Sequence, residues 1–413
     1  MYEIAIYTYL WGVAITSLFS AKVRKMWRGD REAINILRRE VDPTARYVWV
    51  HAASLGEFEQ GRPLMERIRR EHPEYKILLT FFSPSGYEVR KNYEGADIVT
   101  YLPIDTRRNA RRFLRTVRPV MAFFIKYEFW YNYLHILKYR NIPVYSVSSI
   151  FRPDQIFFRW YGCGYAGVLN CFTKLFVQNE ESKQLLAGIG VNDVEIVGDT
   201  RFDRVLDIKA AAKQLPEVEA FVGGRKTFVA GSSWLPDEEI FIPFMKNHPD
   251  WQLIIAPHVI DEEHLQQIEQ LLAANGRKAY RYTDLQEGRG SHLFGGAPSA
   301  LIINCFGLLS SIYNYGDVAY VGGGFGAGIH NTLEAAVWGV PVFFGPNNQR
   351  FREAQGLKSC GAGIEINDAD CFADRITKLM TDEAFLAETS AAAADYVRNQ
   401  SGAVDMVYKA TMR

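Results

Sequence analysis

Residues 318–346, VAYVGGGFGAGIHNTLEAAVWGVPVFFGP, read as strand, glycine-rich turn, helix and strand. Val318-Ala319-Tyr320-Val321 is a short, unbroken apolar run, as a strand buried on both faces of a parallel sheet requires. Gly322, Gly323, Gly324, Gly326 and Gly328 let the backbone turn sharply and approach a ligand closely. Asn331 to Trp338 is expected to be helical, ended by Gly339 and Pro341. His330 and Glu334 would then share a helical face, one turn apart, at the end where free N–H groups and the helix dipole favour a phosphate by about 0.3–2 kcal/mol. Glu334 is suited to accept hydrogen bonds from sugar hydroxyls. The bland alternative is a glycine turn that serves only helix–strand packing.

A dinucleotide fold competes for the same stretch, because Gly322, Gly324 and Ala327 satisfy G-x-G-x-x-A. That motif also needs an acidic residue at the end of the next strand to hold a ribose. The next strand ends Phe343-Phe344-Gly345-Pro346 and lacks one, which weakens the dinucleotide reading.

Working outward, the same alternation fills the second half. Thr227–Ala230 reads as a strand leading to Gly231-Ser232-Ser233-Trp234 and the acidic helix start Asp237-Glu238-Glu239, a further phosphate-capable turn. Trp251–Ala256 is a strand ending at Pro257-His258, and Ala300–Asn304 one ending at Cys305-Phe306-Gly307. Helices from about Asp370 to Lys409 close the chain.

The first half repeats the pattern. Arg46–His51 is a strand running into Ala52-Ala53-Ser54-Leu55-Gly56-Glu57, with a helix from near Phe58. Ligands of open α/β sheets bind at such carboxyl ends of strands. Glu57 is placed there either as a general base or as an acidic residue complementing the helix dipole. Lys76–Phe82 ends at the turn Ser83-Pro84-Ser85-Gly86. Val120–Ile125 runs into Lys126-Tyr127-Glu128-Phe129-Trp130, a carboxylate amid aromatics. Arg107, Arg111 and Arg115 form a stripe on a basic helix, either a solvated face or a contact for lipid phosphates.

Residues 1–205 carry 30 Lys and Arg against 22 Asp and Glu, and the remainder 17 against 25. A basic half beside an acidic half points to an anionic partner for the first half. The arginine stripe lacks interleaved aromatics and the whole chain is neutral, which argues against nucleic acid. The five cysteines show no C-x-x-C pair or metal spacing and read as reduced thiols. Residues 1–21 hold a single charge, Glu3, and precede Lys22, Arg24, Lys25 and Arg28. Such a segment either spans a bilayer or lies in its interface, with an ordinary core helix as the third reading.

These elements give an α/β chain of GT-B type, two Rossmann-like domains facing a central cleft, with an N-terminal membrane-associated helix. The expected divisions are 1–28 for the anchor or interfacial helix, 29–205 for an acceptor-binding domain, 206–224 for a linker and 225–413 for a nucleotide-sugar domain with terminal helices.

The turn His51–Glu57, the segment Glu128-Phe129-Trp130, the hinge Gly198-Asp199-Thr200-Arg201-Phe202-Asp203 and the run Gly322–Pro346 occur in an order and spacing that resemble the 3-deoxy-D-manno-octulosonic acid (Kdo) transferases of lipopolysaccharide synthesis. The resemblance implies inverting transfer of Kdo from CMP-Kdo to a lipid A precursor, lipid IVA, at the cytoplasmic face of the inner membrane. It implies Glu57 as catalytic base. It implies donor contacts from Ser232, Ser233, His258, Gly307, Gly323, Gly324, His330, Asn331 and Glu334, and acceptor contacts from Ser54, Gly56, Ser85, Glu128 and Trp130. No metal or other cofactor is expected, since the only D-x-D, Asp368-Ala369-Asp370, falls in a late surface segment. The implied partners are CMP-Kdo, the lipid A precursor and inner-membrane lipids. The chain departs from the family where Trp234 follows Ser232-Ser233 in place of a frequent His, and where Ala256-Pro257-His258 replaces Pro-Arg-His. The alternative is a GT-B transferase or epimerase acting on a UDP-sugar.

Overall fold

A computed structural model describes residues 2–289 and 298–412 of the chain. Strands β1 (Arg46–Ala52), β2 (Tyr75–Phe81), β3 (Ile98–Tyr101), β4 (Met121–Ile125), β5 (Val144–Ser149), β6 (Lys174–Val177) and β7 (Val194–Ile196) form one sheet in the order β3-β2-β1-β4-β5-β6-β7. Every pairing in it is parallel. β1 is buried from Tyr47 to Ala52, as a strand covered on both faces requires. The helices of this unit include α1 (Tyr2–Phe19), α2 (Ala21–Glu40), α3 (Leu55–Glu71), α4 (Pro84–Arg90), α5 (Arg107–Val117) and α6 (Tyr131–Tyr139).

The second sheet is built from β8 (Thr227–Ser233), β9 (Gln252–Pro257), β10 (Lys278–Arg281), β11 (Ser299–Ile302), β12 (Val318–Val321), β13 (Val342–Phe344) and β14 (Gly363–Glu365), in the order β10-β11-β9-β8-β12-β13-β14. It too is parallel throughout. The chain separates into Met1–Arg204 with Ser401–Arg413 and, as a second unit, Val205–Gln400. The described part of the last thirteen residues therefore belongs with the first unit, not with the nucleotide-sugar domain to which the sequence reading gave it. Ala403, Val404 and Val407 are buried in a core cluster with Val48, Val50, Leu64 and Met65. Arg67 Nη1 meets Asp405 Oδ1 at 2.9 Å.

One further expectation is corrected. The helix after the glycine turn is only Leu333–Ala336. Asn331 Oδ1 accepts the Leu333 N–H at 3.2 Å, a local bond that competes with helical pairing. His330 and Glu334 are therefore not one turn apart on a helix. At the N-terminus, no helix among the described residues is long and apolar enough to cross a membrane. α1 has only 18 residues and interleaves Tyr, Thr and Ser with its apolar side chains.

Candidate active site

In the second unit the polar groups gather at the carboxyl ends of β8, β9 and β12. The β8–β9 pairing slips between Gly231 and Ser233, and Ser232 between them is left-handed at φ +51°. Such a bulge re-aims the chain at a strand end. It sends Ser233 inward, where its hydroxyl donates to the buried Glu238 at 2.8 Å, and turns Trp234 outward. Trp234 lies over His258, ring centroids 4.8 Å apart, and His258 stacks on His330 at 4.2 Å. Trp234 Nε1 donates to His330 Nε2 at 3.3 Å, so that nitrogen is an acceptor and the ring is neutral. Burial first, and the neighbouring His258 second, hold the His330 pKa below its ordinary value. The stacked rings wall a cavity of about 460 Å³, with Pro236, Asp237, Gly323, Phe325 and Gly328 among its other lining residues.

Asp237 builds the cavity floor. Its Oδ1 accepts the Tyr320 hydroxyl at 2.7 Å, and its Oδ2 accepts the Gly323 and Trp234 N–H groups at 3.0 and 2.9 Å. One carboxylate thus ties β12, the glycine turn and the β8 turn together. Burial raises its pKa against these bonds. Sequence reasoning saw Asp237 only as an acidic helix start; its spacing three residues after Trp234 is the capping signal that was available.

The glycine turn packs tightly rather than presenting a row of free donors. A Cβ on Gly324 would stand 2.6 Å from the Gly345 backbone. Besides the Gly323 N–H held by Asp237, Gly326 and Gly328 donate to Gly323 O, and His330 to Gly322 O. His258 and His330 bring two imidazoles to the lining of this cavity. Of the expected donor residues, His258, His330 and Gly323 line the cavity. Gly324 lies under the turn, and Asn331 Nδ2 is bonded to Glu334 Oε1 at 3.0 Å. Gly307, at φ +83°, follows the exposed Phe306 beyond β11. Asp368 caps the helix Ala369–Thr381, accepting the Cys371 N–H at 2.7 Å.

In the first unit, Glu57 stands in the first turn of α3, just past the carboxyl end of β1. Ser54 Oγ donates to its Oε2, and Lys126 Nζ lies 3.9 Å from its Oε1. Lys126 is left-handed at φ +62° where β4 ends. Gly56 lies beside Ser54 in the same turn. Ser85, exposed at the start of α4, shares a hydroxyl bond with Ser83 at 2.9 Å. The backbone N–H of Ser83 reaches Ala53 O at 2.7 Å, which ties the β1 and β2 turns together.

Behind these turns runs a buried chain of donors that the sequence did not reveal. Trp49 Nε1 donates to Thr80 Oγ1 at 2.8 Å, and Thr80 Oγ1 is 2.9 Å from His51 Nδ1. His51 Nε2 is 3.1 Å from Glu128 Oε2, which also accepts Trp130 Nε1 at 2.7 Å. His51 Nδ1 also lies 3.1 Å from Thr80 O, and Nε2 lies 3.1 Å from Trp130 Nε1, so both ring nitrogens are held by partners of this unit. The chain fixes Glu128 and Trp130 at the same sheet edge as Glu57, with Phe82 packed on Trp130 at 5.0 Å. The arrangement offers a base, a cation beside it and an aromatic wall.

Comparison with known proteins agrees with this layout. Residues 28–204 match the family model described as 3-deoxy-D-manno-octulosonic-acid transferase (kdotransferase). Among curated relatives, the 3-deoxy-D-manno-octulosonic acid transferase of Aquifex aeolicus is 27% identical over 81% of this chain and 86% of its own length. The one from Bordetella pertussis is 27% identical over 87% and 86%. A bifunctional glycosyltransferase/methyltransferase of Fusobacterium nucleatum is 26% identical over 80% of this chain, which spans only 52% of that relative. Among solved structures, the UDP-GlcNAc 2-epimerase of Neisseria meningitidis superposes with TM-score 0.61 at 14% identity, over 89% of this chain and 99% of its own. Acinetobacter baumannii MurG gives 0.55 at 11% identity, over 88% and 99%. These likenesses fix the fold as GT-B type. By the match over residues 28–204 and by relatives that cover about four fifths of its length, the chain resembles the bacterial Kdo transferases.

Proposed function

We infer that the chain is a glycosyltransferase that moves Kdo from CMP-Kdo to a lipid A precursor of the lipid IVA type, with inversion and without a metal, at the cytoplasmic face of the inner membrane. The observation that carries this reading is Glu57 itself: the matched N-terminal region follows its first strand with a carboxylate in the first turn of α3, held between Ser54 and Lys126. Inversion needs one base, on the face opposite the leaving group. Glu57 takes the proton of the acceptor hydroxyl as that oxygen attacks the anomeric carbon; the C–O bond to the nucleotide breaks and CMP departs with the electron pair. Lys126 lies next to the base, and Glu128 and Trp130 hold the acceptor sugar.

In the second unit, His258 and His330 face the departing phosphate, where a fixed donor aimed at developing charge is worth about 3 kcal/mol. Trp234 and Phe325 supply the flat apolar wall that a nucleoside needs. The basic balance of the first half and the exposed apolar face of α1 support a lipid-side location.

Glu57→Gln tests the reading. Its transfer rate should fall about 10²–10⁴-fold, the usual loss of a general base, while CMP still raises the melting temperature as in the parent. Retained transfer would remove Glu57 from the mechanism. Protection by UDP or UMP instead of CMP would move the chain to the UDP-sugar alternative.

A further inference from the structure

A polar cavity of the first unit lies away from Glu57, in the groove between α5 and α6. It measures about 630 Å³, and Arg107, Arg111, His135, Tyr139 and Arg140 are among its lining residues, with Glu3 of α1 at one wall. That volume is in the range of roughly 300–1,000 Å³ that small-ligand sites occupy.

The sequence dictates its lining. Arg107 and Arg111 are one turn apart on α5, and Tyr131, His135 and Tyr139 are spaced by one turn each on α6, so the two faces meet across the groove. Arg140 Nη1 donates to Leu114 O at 2.9 Å and clasps the helices together. His135 Nδ1 donates to Tyr131 O at 2.8 Å, and the two rings lie tilted with centroids 4.0 Å apart. Glu3 is turned aside, accepting Asn132 Nδ2 at 2.8 Å. Among the described residues neither Arg107 nor Arg111 makes an ion pair. Three guanidinium groups therefore converge on one concave surface with a single carboxylate at its edge.

The surroundings say what fills it. Ile4, Trp11, Ile15 and Leu18 share one face of α1, and all are more than half exposed. Tyr139 and Trp160 are each 88% exposed. An apolar helix face, exposed aromatics and a guanidinium-lined pocket are the parts of a surface that sits in a lipid interface.

We propose that the α5–α6 pocket receives the phosphate headgroup of an anionic bilayer phospholipid while the apolar face of α1 enters the acyl boundary. This deepens the membrane placement inferred above and does not depend on which sugar is transferred.

The test is flotation of the full chain with phosphatidylcholine vesicles, with and without phosphatidylglycerol. Arg107→Gln/Arg111→Gln removes two charges inside the pocket. Arg108→Gln/Arg112→Gln removes two from the same helix outside it. At about a tenth of the affinity per 1.4 kcal/mol and roughly 1 kcal/mol per arginine at an anionic surface, the first pair should lose about 30-fold on phosphatidylglycerol vesicles. The second pair should lose no more than about threefold, and binding to pure phosphatidylcholine should be unchanged in both. Equal losses by the two pairs would reduce the effect to diffuse surface charge and overturn the pocket. No loss by either would overturn it as well. Inorganic phosphate at millimolar concentration, against chloride of equal ionic strength, should leave vesicle binding intact. Full displacement would reassign the pocket to soluble phosphate and refute the lipid assignment. Transfer activity enters none of these readouts, so a failed transfer assay and a failed pocket are told apart.

Discussion

Asp237 is where the donor cavity is most exposed to a single change. Its carboxylate accepts three hydrogen bonds, from Tyr320 Oη, Gly323 N and Trp234 N, and it is 1% exposed. Asp237→Ala leaves three donors without their acceptor beneath the cavity floor. Bonds to a charged acceptor contribute about 1.5–3 kcal/mol each, and an orphaned buried donor costs about 1–3 kcal/mol. The three share one carboxylate and are not additive, so the expected loss is about 4 kcal/mol rather than the sum. Asp237→Asn behaves differently. Its amide oxygen can stay with the two backbone N–H groups while the amide N–H₂ faces Tyr320, whose hydroxyl turns to accept. One bond is then weakened, at about 1–2 kcal/mol. Urea unfolding followed by tryptophan fluorescence, with CMP titrated by calorimetry, separates the cases. Alanine should lower the denaturation midpoint strongly and abolish CMP binding, and asparagine should weaken binding modestly. Equal behaviour of the two variants, or intact CMP binding in Asp237→Ala, would refute the view that this carboxylate assembles the cavity.

Other consequences follow from the same geometry. Gly324→Ala places a Cβ against Gly345 backbone atoms at 2.6 Å; with no side chain to give way, it should cost about 2–3 kcal/mol, visible as a lowered melting temperature. His330 is held neutral by burial and by His258, so its contribution to stability is full above the unfolded value near 6.5 and is lost as pH falls below it. Trp234→Ala opens His330 to water and should move that limb to higher pH, measurable by NMR titration of the imidazole; an unmoved limb would contradict the desolvation argument. Asp105, which accepts Tyr2 Oη at 2.7 Å and Asn132 N at 2.9 Å, is pushed up to about 6 by burial. Its folded form holds the proton more tightly, so this contribution is full below about pH 4 and lost as pH rises through about 6. The stability difference between the parent and Asp105→Asn should therefore change by up to about 3 kcal/mol across that window, and a constant difference would refute it.

The parallel sheets were legible where their strands are continuous apolar runs: β12 falls where the sequence placed it, and β4 within one residue of it. β10 and β14 were not, since Lys278–Arg281 and Gly363–Glu365 are short edge strands without such a run. Leu333–Ala336 has helix-forming residues, but the Asn331 side chain and the left-handed Gly339 confine the helix to four residues. Glu57 and Glu128 could be singled out because they stand a few residues past the ends of β1 and β4, and His330 because it closes the glycine turn after β12. The groups that hold them could not: His51 meets Thr80 29 positions away, and Asp237 meets Tyr320 83 positions away. Those pairings exist only once the sheet order brings strand ends together. Trp234 stood out as a departure from the family, yet its place over His258 and His330 depends on the bulge at Ser232, which no local pattern announces.

The central claim is the transfer itself. Purified protein in detergent should be given enzymatically generated CMP-Kdo and a tetraacylated lipid A precursor in the presence of EDTA, and the product weighed by mass spectrometry. The account predicts a lipid heavier by one or more Kdo residues, formed at an undiminished rate with the chelator. CMP binding without product would keep the donor cavity and refute the acceptor. Neither product nor CMP binding would contradict the assignment as a whole.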